Sequence, residues 1–314
     1  MKKNLFIYES HYGTTKRTAE IFALLAANSK VCDVNNINVN LNLYDKVFFA
    51  VGFHGIDTAS STKELIIKNK DILLEKKIGF IGVGLSEYGS ENYLKVVEDT
   101  LGRKVDYNVF IHGQVRVNNL TDVDKETLKV FLNKQNLKLI DLGLFKEEEV
   151  CDKASKLIEE INKTEKTMPD EKLQEEIDNF INSKNTCTLC TGDNDFVRGT
   201  PIEFIYNDRN FYFITEGGLK YRGIIKNKKV AITLYNEYSG FEKLKGLQMQ
   251  GDVELIPLYS QEYMKVMKLK NLKEEYLNNI PINMNVLKVK INRYEFLNSD
   301  FKKEGFDVKQ VLVL

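Results

Sequence analysis

The chain has 314 residues, long enough to exceed a single hydrophobic core, so two domains are expected. Lys and Arg number 45, Asp and Glu also 45, and the isoelectric point lies near 6.9, a balance that argues against nucleic acid as a partner. The longest apolar runs, such as Val47–Phe53 and Gly79–Leu85, are strand-sized and too short for a bilayer.

Met1-Lys2-Lys3, a short apolar run and then Glu9 make too brief a start for a secretory signal, and a cytoplasmic location is expected. Cys32, Cys151, Cys187 and Cys190 suit a reducing compartment. Asn4–Tyr8 reads as a buried strand, and Ala19, Phe22, Ala23 and Ala26 share one face of the helix that follows. Between them Ser10-His11-Tyr12-Gly13-Thr14-Thr15 gathers hydroxyls and backbone N–H groups where the helix dipole favours an anion. That is the composition of a phosphate cradle. It has neither the Lys-Ser/Thr ending of a Walker loop nor a G-x-G-x-x-G turn.

Further strands are expected at Lys30–Val34, Lys46–Gly52, Lys77–Gly84 and Asn108–Val117. Helical periods fall at Ser61–Lys70, Glu91–Leu101 and Glu147–Asn162, and Thr121-x-x-Asp124 reads as a capping box opening another helix. Strands that are apolar throughout call for a parallel sheet covered on both faces. Residues 1–163 are therefore expected to form an open, five-stranded doubly wound α/β sheet. Ligands of such a sheet bind beyond the carboxyl ends of its strands, so three loops should converge. They are the opening loop, Gly52 to Thr58, and Gly84 to Tyr93. Flat and apolar groups around a phosphate cradle suit an isoalloxazine ring. Tyr88 or Tyr93 would stack on it, with Phe53, His54 and Ile56 on the other loop.

The spacing Ser-x-x-Gly-x-Thr over Ser10, Gly13 and Thr15, followed by the two aromatic loops, resembles the flavodoxins, including the flavodoxin-type protoporphyrinogen oxidases. The resemblance implies FMN with its phosphate on Ser10, His11, Tyr12, Gly13, Thr14 and Thr15. Around the ring it implies Phe53, His54, Gly55, Ile56, Asp57, Leu85, Ser86, Tyr88 and Tyr93. Tyr12 stands where that loop usually carries Thr, and the third loop lacks the acidic residue common directly after its Gly. His54 is the candidate catalytic residue: beside a flavin it can hydrogen-bond the ring, donate a proton or ligate a haem iron. No His/Asp/Glu cluster has metal spacing, and no metal is expected.

Composition changes at Lys163. The polar run 164–176 contains the chain's first proline, Pro169, and reads as a linker and helix start capped by Asp170. Leu173, Ile177, Phe180 and Ile181 make a helical stripe, and residues 177–314 then turn to short strands. These are expected at Asn185–Thr191, Pro201–Tyr206, Phe211–Thr215, Val230–Asn236, Gly246–Ile256 and Val286–Phe296, with a hairpin turn at Asn207–Asn210. Helices are expected near Gln261–Lys268 and Lys273–Asn278. Such closely spaced strands suggest a small barrel. The pair Cys187-Thr-Leu-Cys190 has the spacing of a redox pair or half a metal site. On a strand, however, an odd separation points the two side chains to opposite faces, and no second pair exists to complete a tetrahedral site. Two packing residues are the expectation.

The order of Thr-Cys-Thr-Leu-Cys-Thr, Gly199-Thr200-Pro201, Phe211–Thr215 with Lys220 beyond, and Gln248-Met-Gln-Gly251 resembles the pyridoxamine 5′-phosphate oxidase-like split barrels. It implies a homodimer of barrels with flavin at the subunit interface, Thr215 and Lys220 on its phosphate and Gln250 nearby. Members of that family also bind haem or deazaflavin. Together the two resemblances imply a cytoplasmic FMN-dependent oxidoreductase acting on a small molecule, with a tetrapyrrole as the substrate class. The alternatives are an electron carrier that docks on a redox partner protein, and a haem- or tetrapyrrole-binding trafficking protein. Neither nucleic acid nor membrane is an expected partner.

Overall fold

The computed structural model describes residues 3–54, 59–134, 137–162 and 165–314. The chain divides into two compact units, Met1–Lys163 and Thr164–Leu314.

The first unit alternates strands and helices. Its elements are β1 (Asn4–Glu9), α1 (Thr14–Ala26), β2 (Ser29–Asp33), β3 (Lys46–Gly52), α2 (Ser60–Lys68), α3 (Lys70–Leu74) and β4 (Lys77–Gly84). They are followed by α4 (Ser90–Leu101), β5 (Tyr107–His112), β6 (Gln114–Val115), α5 (Asp122–Asn133), β7 (Leu142–Gly143) and α6 (Glu147–Ile161). Five of the strands form a parallel sheet in the order β2-β1-β3-β4-β5. Successive strand residues point to opposite faces, so each apolar strand feeds two cores. Phe6, Phe48, Ala50 and Ile81 pack with Ala19, Phe22 and Ala23 of α1 and with Val150, Ala154 and Ile158 of α6. Leu5, Val47, Phe49 and Phe80 pack with Ile66, Tyr93 and Val97 on the other side. Each such fully buried large side chain contributes roughly 1.5–3 kcal/mol.

Three expectations are corrected in detail. The helix expected over Ser61–Lys70 breaks at Asn69, whose side-chain amide donates to the Leu65 carbonyl at 2.9 Å, and restarts as α3. The strand expected over Asn108–Val117 ends at His112. Gly113 then donates to the Gly84 carbonyl at 2.7 Å, and Gln114 and Val115 leave the main sheet to pair with β7. Asp170 does not cap its helix, because the N-cap position is Pro169.

The second unit opens with α7 (Asp170–Asn182), which begins inside the run read as linker. Strands β8 (Thr186–Asp193), β9 (Phe196–Glu203), β10 (Ile205–Asn207) and β11 (Asn210–Thr215) follow, then α8 (Lys220–Lys226), β12 (Lys229–Tyr235) and β13 (Lys245–Ile256). The chain ends with α9 (Gln261–Leu269), α10 (Glu274–Asn279), β14 (Asn285–Asn298) and β15 (Lys309–Val313). The eight strands form one curled antiparallel sheet, ordered β10-β11-β14-β13-β12-β8-β9 with β15 on β14, a split barrel. Its core gathers Leu189, Phe213, Ile232, Met249, Leu287 and Phe296 with the α7 stripe of Leu173, Ile177, Phe180 and Ile181. The β10–β11 turn holds Asp208 and Arg209 in the left-handed region, as a two-residue hairpin requires. Pro201 falls within β9, which starts five residues earlier than its expected strand. β9 is an edge strand, where a missing N–H is tolerated. Cys187 is buried and Cys190 half-buried on alternating positions of β8, and burial pushes the Cys187 thiol up to about 12. They behave as packing residues.

Candidate functional site

In the first unit the strand order reverses between β1 and β3, and the loops leaving these strands splay apart there. A cavity of about 680 Å³ opens at this point. Its floor is the loop from β1 to α1. Gly13 adopts φ 91, a left-handed turn open to glycine, and donates its N–H to the Ser10 hydroxyl at 3.1 Å. Thr14 and Thr15 follow at the first turn of α1, where the leading N–H groups lack intrahelical partners. Ser10, His11, Tyr12, Thr14 and Thr15 all line the cavity. Thr15 is buried against Gly52 at the end of β3.

The wall beyond β3 and β4 comes from Phe53, His54 and Leu85. Phe53 stacks on Tyr93 with ring centroids 4.3 Å apart, and the His54 backbone N–H donates to the Tyr93 hydroxyl at 3.0 Å. Tyr93 is thus a buried support beneath Phe53, not a residue facing the cavity. Gly82 and Gly84 make room for the Phe53 ring, which a methyl group at either would strike. Tyr88, 88% exposed, and Ser86, whose hydroxyl accepts the Tyr88 N–H, stand outside the lining. Gly55, Ile56 and Asp57 lie outside the described residues.

The sequence reading missed the opposite wall. Gln114, Val115, Leu120, Asp124 and Leu128 line it, from β6, α5 and the segment between them. The Thr121 capping box was visible in the sequence, but only as a helix start. In the structure the Thr121 hydroxyl accepts the Asp124 N–H, as a cap should, and donates to the Asp124 carboxylate, which also reaches two other segments. It accepts the Tyr12 hydroxyl, and its Oδ1 lies 3.2 Å from His54 Nε2. The His11 and His54 rings stack at 3.9 Å. The Tyr12 hydroxyl, followed by Thr121 and His54, holds the Asp124 carboxyl below the usual carboxylate range. Glu9 was missed as well. Buried at the end of β1, it accepts the Thr62 N–H at 3.0 Å and the Thr62 hydroxyl at 2.6 Å, and so anchors α2.

Of the residues singled out in the second unit, Thr215 and Lys220 meet at Gly217 and Gln250 lies apart from them. Thr215 ends β11 opposite Asn285, and its hydroxyl bonds Gly217. Lys220 begins α8 and is 7% exposed, with its ammonium on the Gly217 carbonyl, and burial lowers its pKa. Gln250 sits mid-sheet opposite Ala231 and Arg293, separated from Thr215 along β14 from Asn285 to Arg293. Among the described residues, no cluster of His, Cys, Asp and Glu could hold a metal ion, and no helix is long and apolar enough to cross a membrane.

Comparison with known proteins matches each unit separately. The flavodoxin domain family matches residues 5–138, and the pyridoxamine 5′-phosphate oxidase family matches residues 173–298. No curated protein matches the chain. Among solved structures, HutZ, the heme storage protein from Vibrio cholerae, is 16% identical with a TM-score of 0.33, covering 38% of this chain and 89% of its own. A FAD-binding protein from Mesorhizobium loti is 13% identical with a TM-score of 0.32, covering 38% and 89%. A NimC/NimA family protein from Clostridium acetobutylicum is 18% identical with a TM-score of 0.34, covering 45% and 91%. The chain is a flavodoxin-like domain followed by a pyridoxamine 5′-phosphate oxidase-like split barrel.

Proposed function

We propose that this chain is an FMN-dependent oxidoreductase acting on a small molecule, with the flavin in the first unit. The observation that carries the reading is the cavity at the β1/β3 reversal, bounded by the Ser10–Thr15 loop on one side and by Phe53, His54 and Leu85 on another. The residues fit the group: the loop offers hydroxyls and N–H donors to a phosphate, and space is open above Gly13. The volume lies within the range of cofactor sites. When bound, FMN supplies reversible electron and hydride chemistry. The chain's own residues bind and orient it, and His54 holds or moves a proton beside it. Leu120, Val115 and Leu128 keep water from the outer side. That covering wall favours an enzyme over an electron carrier, which needs the edge of its ring open to a partner. The flavodoxin-type resemblance makes a tetrapyrrole the first substrate class to assay.

The second unit is read as the dimer contact. Val197 on the edge strand β9, 85% exposed, supports this, as do the exposed Tyr235, Tyr238 and Phe241. The test is the visible spectrum of the purified protein with flavin released per chain. One FMN per chain in the 1–163 unit is expected. Colourless protein that stays without flavin after incubation with FMN would overturn the reading. Turnover of a reduced tetrapyrrole by the loaded protein would separate enzyme from carrier, since a carrier exchanges electrons with a redox protein and turns over no small molecule.

A further inference from the structure

The Asp124 carboxylate is where the phosphate loop, the loop after β3 and helix α5 meet. Its Oδ2 accepts the Tyr12 hydroxyl and, at 2.8 Å, the Thr121 hydroxyl. Its Oδ1 lies 3.2 Å from His54 Nε2. Every proton in this cluster has a place. The Tyr12 oxygen accepts the Thr121 N–H at 3.3 Å while its own proton goes to Asp124, and the Thr121 hydroxyl accepts the Asp124 N–H while its proton does the same. The carboxylate has no proton to give, so the ring nitrogen facing it must be the donor.

We infer that Asp124 is a positioning residue for His54: it takes the Nε2–H, so that neutral His54 keeps its proton on Nε2 and its lone pair on Nδ1. His54 is then a base. In the reaction, a bound ligand X–H gives its proton to Nδ1 while the bonding electron pair stays on X, and the imidazolium so formed faces the Asp124 carboxylate. The proton returns by the same route in reverse. The carboxylate fixes the orientation of the ring and lies opposite the charge that the proton brings, the service an acid gives the histidine of a catalytic pair. The surrounding groups fit that role. The His11 ring, stacked at 3.9 Å, would oppose a second positive charge if it were protonated, and Lys134 lines the same cavity, so Asp124 is the negative charge that offsets them. The depressed Asp124 carboxyl keeps the acceptor ionised at neutral pH. This also accounts for Tyr12 in a loop where a short hydroxyl would be expected: only a long side chain reaches Asp124 from there.

The catalytic role rests on the flavin reading above; the tautomer does not. The test is ¹⁵N NMR of the histidine-labelled full-length chain as purified, with His54 assigned by H54Q, at a pH where the ring is neutral. The wild type is expected to show a protonated Nε2 and an unprotonated Nδ1. D124A should lose that preference, and D124N, which keeps an oxygen acceptor, should retain part of it. A wild-type His54 protonated on Nδ1 overturns the inference, as does an unchanged tautomer in folded D124A. If D124A fails to fold, the wild-type spectrum alone decides. Protein that binds no FMN still yields this spectrum, so the two readings fail separately.

Discussion

Gly52 ends β3 with so little room that a methyl group there would sit 2.6 Å from Thr15 Oγ1 and 3.3 Å from the Glu9 carbonyl. The Gly52→Ala substitution is therefore expected to push Thr15 and the first turn of α1 away from the cradle. The expected cost is roughly 1–3 kcal/mol in urea unfolding, the range for overpacking a tight contact. FMN binding should weaken with it. Unchanged stability would show that the loop yields freely. Tyr12 teaches a related lesson. From its sequence position it looked like a poor substitute for a short hydroxyl, yet its reach to Asp124 gives it a structural use no local pattern could reveal. Tyr93 shows the converse: an aromatic at the right place in the ring loop turned out to support Phe53 from below, because α4 turns that face into the core.

The Asp124 contacts tie helix α5 to the loops after β1 and β3, so the stability of this helix is expected to be sensitive to acid. The Asp124 carboxyl is depressed in the folded chain, chiefly by the Tyr12 hydroxyl. A depressed acid stabilises the fold above its unfolded value, near 3.9, and that contribution is lost as pH falls through the lower folded value. Hydrogen-exchange protection of the α5 amides, corrected for intrinsic rates, should therefore hold at pH 5 and drop in stronger acid. In D124N it should be lower at pH 5, lose that acid-dependent step and meet the wild-type value in strong acid. An identical acid profile in the variant would remove Asp124 from this role. The helix itself was legible from Thr121 and its apolar spacing. What it covers was not, because the pattern of one helix names its buried face and not the element it packs against.

Each of the two units holds its own hydrophobic cores. A chain cut to residues 1–163 is expected to fold and to bind FMN within about threefold of the full-length affinity, as an independent domain should. Circular dichroism and flavin titration would check it; an aggregated fragment, or one blind to FMN beside a full chain that binds, would sink the idea. Over the whole molecule, the sequence by itself determined the strands β3 and β4, the stripe faces of α1, α6 and α7, the change of architecture beyond Lys163 and the Ser10–Thr15 loop between β1 and α1. These are written in local periodicity and composition, which act over a few residues. Only the tertiary structure decided the wall from α5, the burial of Tyr93 and Lys220, the separation of Gln250 from Thr215, and the meeting of Tyr12, His54 and Asp124. Those contacts join residues far apart along the chain, and their geometry comes from the order of strands in a sheet, which no single stretch of sequence carries.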